Sequence, residues 1–186
     1  MHARRVDATA LREDGRSRAV VAGPLGPLTL LGGADGLRAL FFDGAAPEPP
    51  TQADRTEALS DAARQLGEYF VGARRAFELA LDLRGSPLQL RVWGELQRIS
   101  YGVTVTYSQL AASVGRPDAV RTVASAVAAT PVPIVVPCHR VIGADGALRG
   151  YIGGLERKAA LLDLERRTAP DPAGEGQPEP RRLELT

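Results

Sequence analysis

Apolar positions along this chain fall into two regimes. From about Arg18 to Leu83 they come in short runs, RAVVA, GPLTLLGG, GLRALFF and later AFELALDL, each of strand length. Turn signals at Gly23-Pro24, Gly32-Gly33 and Asp43-Gly44 separate the first three, which predicts an antiparallel meander. A helix is predicted over 54–71, before the fourth run, with the segment DGAAPEPPTQA as a loop ahead of it. From Gly85 onward the spacing turns helical. Ser86-Pro87 makes an N-cap and first-turn pair, followed by Leu88, Val92, Leu96 and Ile99 at helical intervals, with Trp93 beside them as core.

Two shorter helices follow, YSQLAASVG and RPDAVRTVASAVAAT, joined through Gly115. Ala111 stands four residues before that glycine and Pro117 opens the second helix, the spacing of a helix-turn-helix. Val120, Val123 and Val127 share one face and are expected to be buried. The opposite face then carries Arg121, Thr122, Ser125, Ala128 and Ala129, one long cation among small residues able to approach a nucleic acid closely. An ordinary helical hairpin has the same spacing, so the pattern leaves both readings open. After it come an apolar run VPIVVP, read as a strand, then PCHRVIG, a turn at Asp145-Gly146, and a last helix from about Gly154 to Glu165. The organisation expected is a disordered tail over 1–15, an N-terminal α/β domain over 16–84, a second domain over 85–166, and a Pro-, Gly- and Glu-rich disordered tail over 167–186.

Composition narrows the chemistry. The chain has 186 residues, 44% of them hydrophobic, enough for a substantial core. No apolar stretch reaches bilayer length, and the basic N-terminus lacks a continuous apolar segment, so a cytoplasmic protein without membrane contact is expected. One cysteine forms no internal disulfide and anchors no structural zinc, so no metal site is expected. The net charge is +1, yet residues 85–166 hold nine Arg and Lys against six Asp and Glu, a mildly basic half. Lys158 is the sole lysine among 23 basic residues.

That single cysteine, Cys138, lies between Pro137 and His139. A lone cysteine is more often inert and buried than nucleophilic. Here Pro137 halts any strand ladder, placing the thiol at a strand end or tight turn, and His139 supplies a base one residue away. Adjacent side chains diverge, so a proton relay between them runs through a water. Glu165 follows Leu161 and Leu162 by four and three residues and could orient a histidine, although its spacing alone favours a solvated helix-end residue. A thiol protease is disfavoured because the other histidine, His2, lies in a predicted tail.

The stretch PCHRVIGADGALRGYIGGLERKAALLDLE resembles the O6-alkylguanine-DNA alkyltransferases, and so do GSPLQLRVWGELQRISYGVTVTYSQLAASVGRP and GPLTLLGGADGLRALFF. The likeness runs from about Arg18 to Arg166. It implies an α+β chain: a small antiparallel sheet with a helix, RNase H-like, then a helical domain with a winged helix-turn-helix. It implies a monomer without cofactor whose partner is double-stranded DNA containing alkylated bases, entered from the minor groove. The damaged nucleotide, O6-alkylguanine or O4-alkylthymine, is flipped out and its alkyl group passes irreversibly to the cysteine. On this resemblance Cys138 is the acceptor, His139 the base acting through a water, Glu165 its orienter, and Tyr107 the tyrosine beside the flipped base. Arg121 fills the vacated stack, with Thr122, Ser125 and Ala128 against the DNA. Val136, Tyr151, Ile152 and Gly153 line the alkyl pocket. Two positions depart from the family pattern: Thr130 stands where asparagine is usual, and Ala124 where glycine is often found. A relative that binds the lesion without transfer is the competing function, but such relatives replace the cysteine. A helix-turn-helix transcription factor leaves Cys138-His139-Arg140 unexplained.

Overall fold

The computed structural model describes residues 17–42 and 56–169. The predicted tail over 1–15, the loop DGAAPEPPTQA and nearly all of the C-terminal tail lie outside the described residues. Three strands, β1 (Ser17–Val21), β2 (Leu28–Gly33) and β3 (Gly36–Phe42), form the predicted antiparallel meander in the order β1-β2-β3. Ala19, Leu30 and Leu40 stand abreast in its register and are all buried. The helix α1 (Glu57–Phe70) starts where the Thr56 side chain accepts from the Leu59 amide. It lays Leu59, Ala62, Leu66 and Tyr69 on the sheet, the 3–4–3 spacing of an amphipathic face.

The fourth run is not a strand. Phe77, Leu79, Leu81 and Leu83 do alternate toward the core, but pairing is limited to one parallel bridge between Leu37 and Leu81. Leu37 N donates to Ala80 O at 2.9 Å and Asp82 N to Leu37 O at 3.0 Å. Further along the same edge of β3, Leu40 N donates instead to Pro131 O at 2.9 Å. The second half of the chain takes that acceptor position, so the ladder ends after one bridge.

In that second half, α2 (Pro87–Gln97) opens with a complete capping box between Ser86 and Gln89. Trp93 is buried and its Nε1 donates to Ala126 O at 2.9 Å. The two-residue strand β4 (Val105–Thr106) leads into α3 (Tyr107–Ser113). The chain turns at Gly115, whose φ of 71° suits glycine, and Arg116 N donates back to Ala111 O at 2.8 Å. Pro117–Ala119 is one 3-10 turn, followed by α4 (Val120–Ala128). Val123 and Val127 are buried as expected, while Val120 is only half-buried. The outward face of α4 exposes Arg121, Thr122, Ser125 and Ala128.

VPIVVP is also not a strand. It folds into tight turns in which Val136 N donates to Val132 O at 2.9 Å and Cys138 N to Val136 O at 2.7 Å. Pro133 and Pro137 have no amide hydrogen to give a ladder, and an apolar run looks alike in a strand and in a buried turn. Ile134 adopts φ 75°, a left-handed conformation that costs a β-branched residue energy, and it is fully buried. Beyond it β5 (Val141–Ile142) pairs in parallel with β4, Val105 opposite Val141 and Thr106 opposite Ile142. The last helix, α5 (Leu155–Thr168), runs three residues past its predicted end at Glu165. One continuous core joins both halves. Among the described residues no helix is long and apolar enough to cross a membrane.

Candidate active site

Cys138, His139 and Arg140 make a single 3-10 turn just before β5, all three buried. The β4–β5 pairing sets the start of α3, and therefore Tyr107, beside the segment that follows this turn. From the far side α5 delivers Glu165, which is fully buried rather than solvated as its spacing had favoured. A buried carboxylate is tolerated only with near-complete compensation, and Glu165 has it. Its Oε1 lies 2.8 Å from His139 Nε2 and accepts from Arg140 Nη2 at 2.9 Å and from the Tyr69 hydroxyl at 2.8 Å. Its Oε2 accepts from Arg140 Nε at 2.9 Å and from the Gly102 amide at 3.0 Å. Arg140 also donates through Nη1 to Ile99 O at 2.5 Å and stacks 5.6 Å from the Tyr101 ring centroid.

Charges follow from this packing. Burial alone would raise the Glu165 carboxyl, but the hydrogen bonds from His139 and Arg140 outweigh it and hold it at about 2. Burial pulls His139 below the ordinary imidazole range, against the opposing pull of Glu165, so the resting ring is neutral. With Nε2 facing the carboxylate, Nε2 carries the hydrogen and Nδ1 is the basic nitrogen. Nδ1 is buried and has no protein partner among the described residues. Cys138 is 4% exposed, and burial pushes its thiol up to about 12 despite opposing contributions from Thr130 and Lys158. The resting site thus holds a thiol and a neutral base, and a thiolate forms only by passing a proton within the site.

Two tyrosines sense that sulfur. Burial and then the charge of Cys138 raise the hydroxyl pKa of Tyr107 and, more strongly, of Tyr151, so both remain proton donors. Tyr151 sits 6.4 Å from the His139 ring and 5.9 Å from Phe42, edge-on. Gly153 lies directly on Phe42; a Cβ there would meet the ring at 2.7 Å, so the close approach requires glycine. Arg157 fixes this loop from α5, donating to Gly153 O at 2.9 Å and to Leu25 O at 2.8 Å. Val136 is buried beneath the turn, whereas Ile152 is exposed.

The structure therefore gathers Cys138, His139, Glu165, Tyr107 and Tyr151 around one site and leaves Arg121, Thr122, Ser125 and Ala128 on a separate exposed helix face. Thr130 is fully buried and its hydroxyl donates to Val127 O at 2.7 Å, closing the end of α4. Three participants were not anticipated as site residues. Arg140 had a signal in plain view, its position within PCHR. Lys158, the lone lysine, is buried and donates to Val141 O at 2.6 Å and Arg149 O at 2.7 Å, pinning both ends of the segment after the turn. Tyr69 had no local signal at all.

The 6-O-methylguanine DNA methyltransferase ribonuclease-like domain matches residues 18–83, and the DNA-binding domain of the same family matches residues 87–167. A methylated-DNA–protein-cysteine methyltransferase of Mycolicibacterium paratuberculosis is 47% identical over 152 residues, covering 81% of this chain and 92% of that protein. The chain belongs to the 6-O-methylguanine DNA methyltransferase family. The constitutive methyltransferase of Bacillus subtilis is 43% identical over 150 residues, 77% of this chain and 91% of the relative. Among solved structures, Mycobacterium tuberculosis OGT in complex with DNA superposes with a TM-score of 0.75 at 43% identity, covering 83% of this chain and 95% of that one. The mixed α+β fold of this 6-O-methylguanine DNA methyltransferase family member, sheet unit first and helical unit second, is the one expected.

Proposed function

We propose that this chain is a single-use DNA repair protein that moves an alkyl group from O6 of guanine in duplex DNA to its own Cys138. The observation that carries the reading is the buried Cys138–His139 turn facing a fully compensated Glu165, within a family whose relatives are named for methyl transfer to a protein cysteine. The Cys138 thiol gives its proton through a water to His139 Nδ1, and Glu165 holds the resulting imidazolium. Sγ attacks the alkyl carbon; the S–C bond forms as the C–O6 bond breaks, and the electron pair leaves on the guanine oxygen. Tyr107 gives its proton to the base ring and neutralises the leaving group, and the proton held on the His139 imidazolium returns through the site water to restore the phenol. The products are an unmodified guanine and a thioether. A thioether is a poor leaving group, so each molecule acts once, and the reaction needs no cofactor.

The target carbon is unreachable inside stacked DNA, so the nucleotide is extruded. The exposed face of α4 enters the minor groove, Arg121 occupies the gap, and Thr122, Ser125 and Ala128 lie against the backbone. Val136, Tyr151, Ile152 and Gly153 form the alkyl pocket, which also accepts O4-alkylthymine. Residues 85–166 carry DNA binding and transfer, residues 16–84 support them, and the protein works as a monomer in the cytoplasm beside the chromosome.

Intact-protein mass spectrometry tests this, after incubation with a duplex bearing one O6-methylguanine and beside a Cys138→Ser control. The expected result is one methyl increment per molecule in the wild type and none in the control. Tight lesion-selective binding with no increment overturns transfer in favour of a damage-flagging module.

A further inference from the structure

Tyr69 belongs to the sheet unit, on α1, yet its hydroxyl is spent on the other half of the molecule: it donates to Glu165 Oε1 at 2.8 Å across 96 residues of sequence. The phenol is fully buried and wedged among Phe70, Phe77 and Tyr101, with ring centroids 5.4 to 5.9 Å away. Burial and the neighbouring carboxylate push its ionisation far above the working range, so it is a donor at every relevant pH. The oxygen it grips is the one that faces His139 Nε2, not the one held by Gly102.

We propose that Tyr69 is a positioning residue for the alkyl-transfer reaction, through which the sheet unit fixes and tempers the carboxylate that orients His139. This rests on the transfer reading above. Arg140 and the Gly102 amide already hold the carboxylate plane from the C-terminal side, so mere satisfaction of Glu165 does not require the phenol. What Tyr69 adds is a neutral donor on Oε1 that competes with the imidazole for the same negative charge. Removing it leaves more charge on the oxygen facing Nε2, stabilises the imidazolium, and makes His139 harder to keep in its basic form. The acid limb of the transfer rate then moves to higher pH. A stronger donor at the same place moves that limb to lower pH.

The test compares wild type, Tyr69→Phe, and a protein with 3-fluorotyrosine at position 69, a more acidic phenol of nearly equal size. Methyl transfer is timed from about pH 5 to about 9, and the His139 imidazole is titrated by NMR without DNA. Tyr69→Phe is expected to raise the acid limb and the His139 midpoint together, so that transfer is slowed most at the acid end of the range. The fluorinated protein should shift both downward. If Tyr69→Phe does not fold, the fluorinated protein alone decides. Lower thermal stability with an unmoved limb and midpoint overturns the proposal and leaves Tyr69 a packing residue. A wild type that takes up no methyl overturns the transfer reading, whereas the His139 midpoints report on Tyr69 in either case.

Discussion

Arg140 and Arg121 show two uses of one side chain within 20 residues of sequence. Arg140 is 6% exposed, forks onto Glu165, caps Ile99 O and stacks on Tyr101. Arg121 stands in solvent on α4. The first is fixed by its protein partners and its energetics belong to folding; the second contributes nothing to the core and is available to a phosphate or a base stack. The buried cluster therefore sets chemistry and stability together, whereas the exposed face can change binding without touching either.

The comparison breaks most sharply at Glu165. Glu165→Ala leaves Arg140 buried without its counter-charge, and chemical denaturation should register a loss of about 3–5 kcal/mol along with transfer. Unchanged stability would mean that the cluster is not the fixed element described. Because the Glu165 carboxyl is held at about 2, well below its ordinary 4.5, its contribution to folding is complete above about 4.5 and is lost as pH falls toward 2. The acid limb of wild-type stability should show that loss, and Glu165→Gln should flatten it. Arg121→Ala should leave stability within about 0.5 kcal/mol, weaken binding to lesion-bearing duplex about tenfold, and lower the salt slope by about 1. A stability loss equal to that of Glu165→Ala would erase the distinction.

Thr130 falls between the two cases. Its hydroxyl ties off α4, the DNA-facing helix, by giving its one hydrogen to Val127 O, and turned instead toward Cys138 it would favour the thiolate. Thr130→Val should therefore slow transfer, by about three- to tenfold, while costing about 1 kcal/mol. The smallest effect belongs to Ile152, exposed on the pocket loop. Replacing it by glycine should raise benzyl transfer relative to methyl by less than about tenfold, measured on duplexes carrying each adduct; equal selectivity would show that the branched side chain does not narrow the pocket.

Legibility followed the distance over which each feature is held. The meander was readable because alternation and Gly-rich turns act over a few residues, as at Gly32-Gly33. α2 was readable because Ser86, Pro87 and Gln89 carry its start signal locally. The resemblance named Glu165 as the orienter, but its spacing misled because its burial depends on Arg140 and Tyr69, 25 and 96 residues away, and nothing in LLDLERR encodes those partners. The run VPIVVP misled for a different reason: its apolar character was real, since Val132, Ile134, Val135 and Val136 are all buried, but its two prolines argued against a ladder. AFELALDL kept its alternation and lost its partner to Pro131. The thiol, the base, its carboxylate orienter and the exposed helix face were visible; the Arg140, Tyr69 and Gly102 contacts that bury and compensate that carboxylate were not.

The solitary lysine has a practical consequence. Lys158 is fully buried, its ammonium committed to two backbone carbonyls. Amine-reactive labels therefore meet no freely exposed lysine side chain, and acylation of Lys158 is slow and leaves the cysteine unengaged. That slow acylation is then a clock, because it advances only when the segment between Val141 and Arg149 lets go. Mass spectrometry of a dilute labelling reaction would time that opening directly, in free protein and on DNA, with no residue substituted.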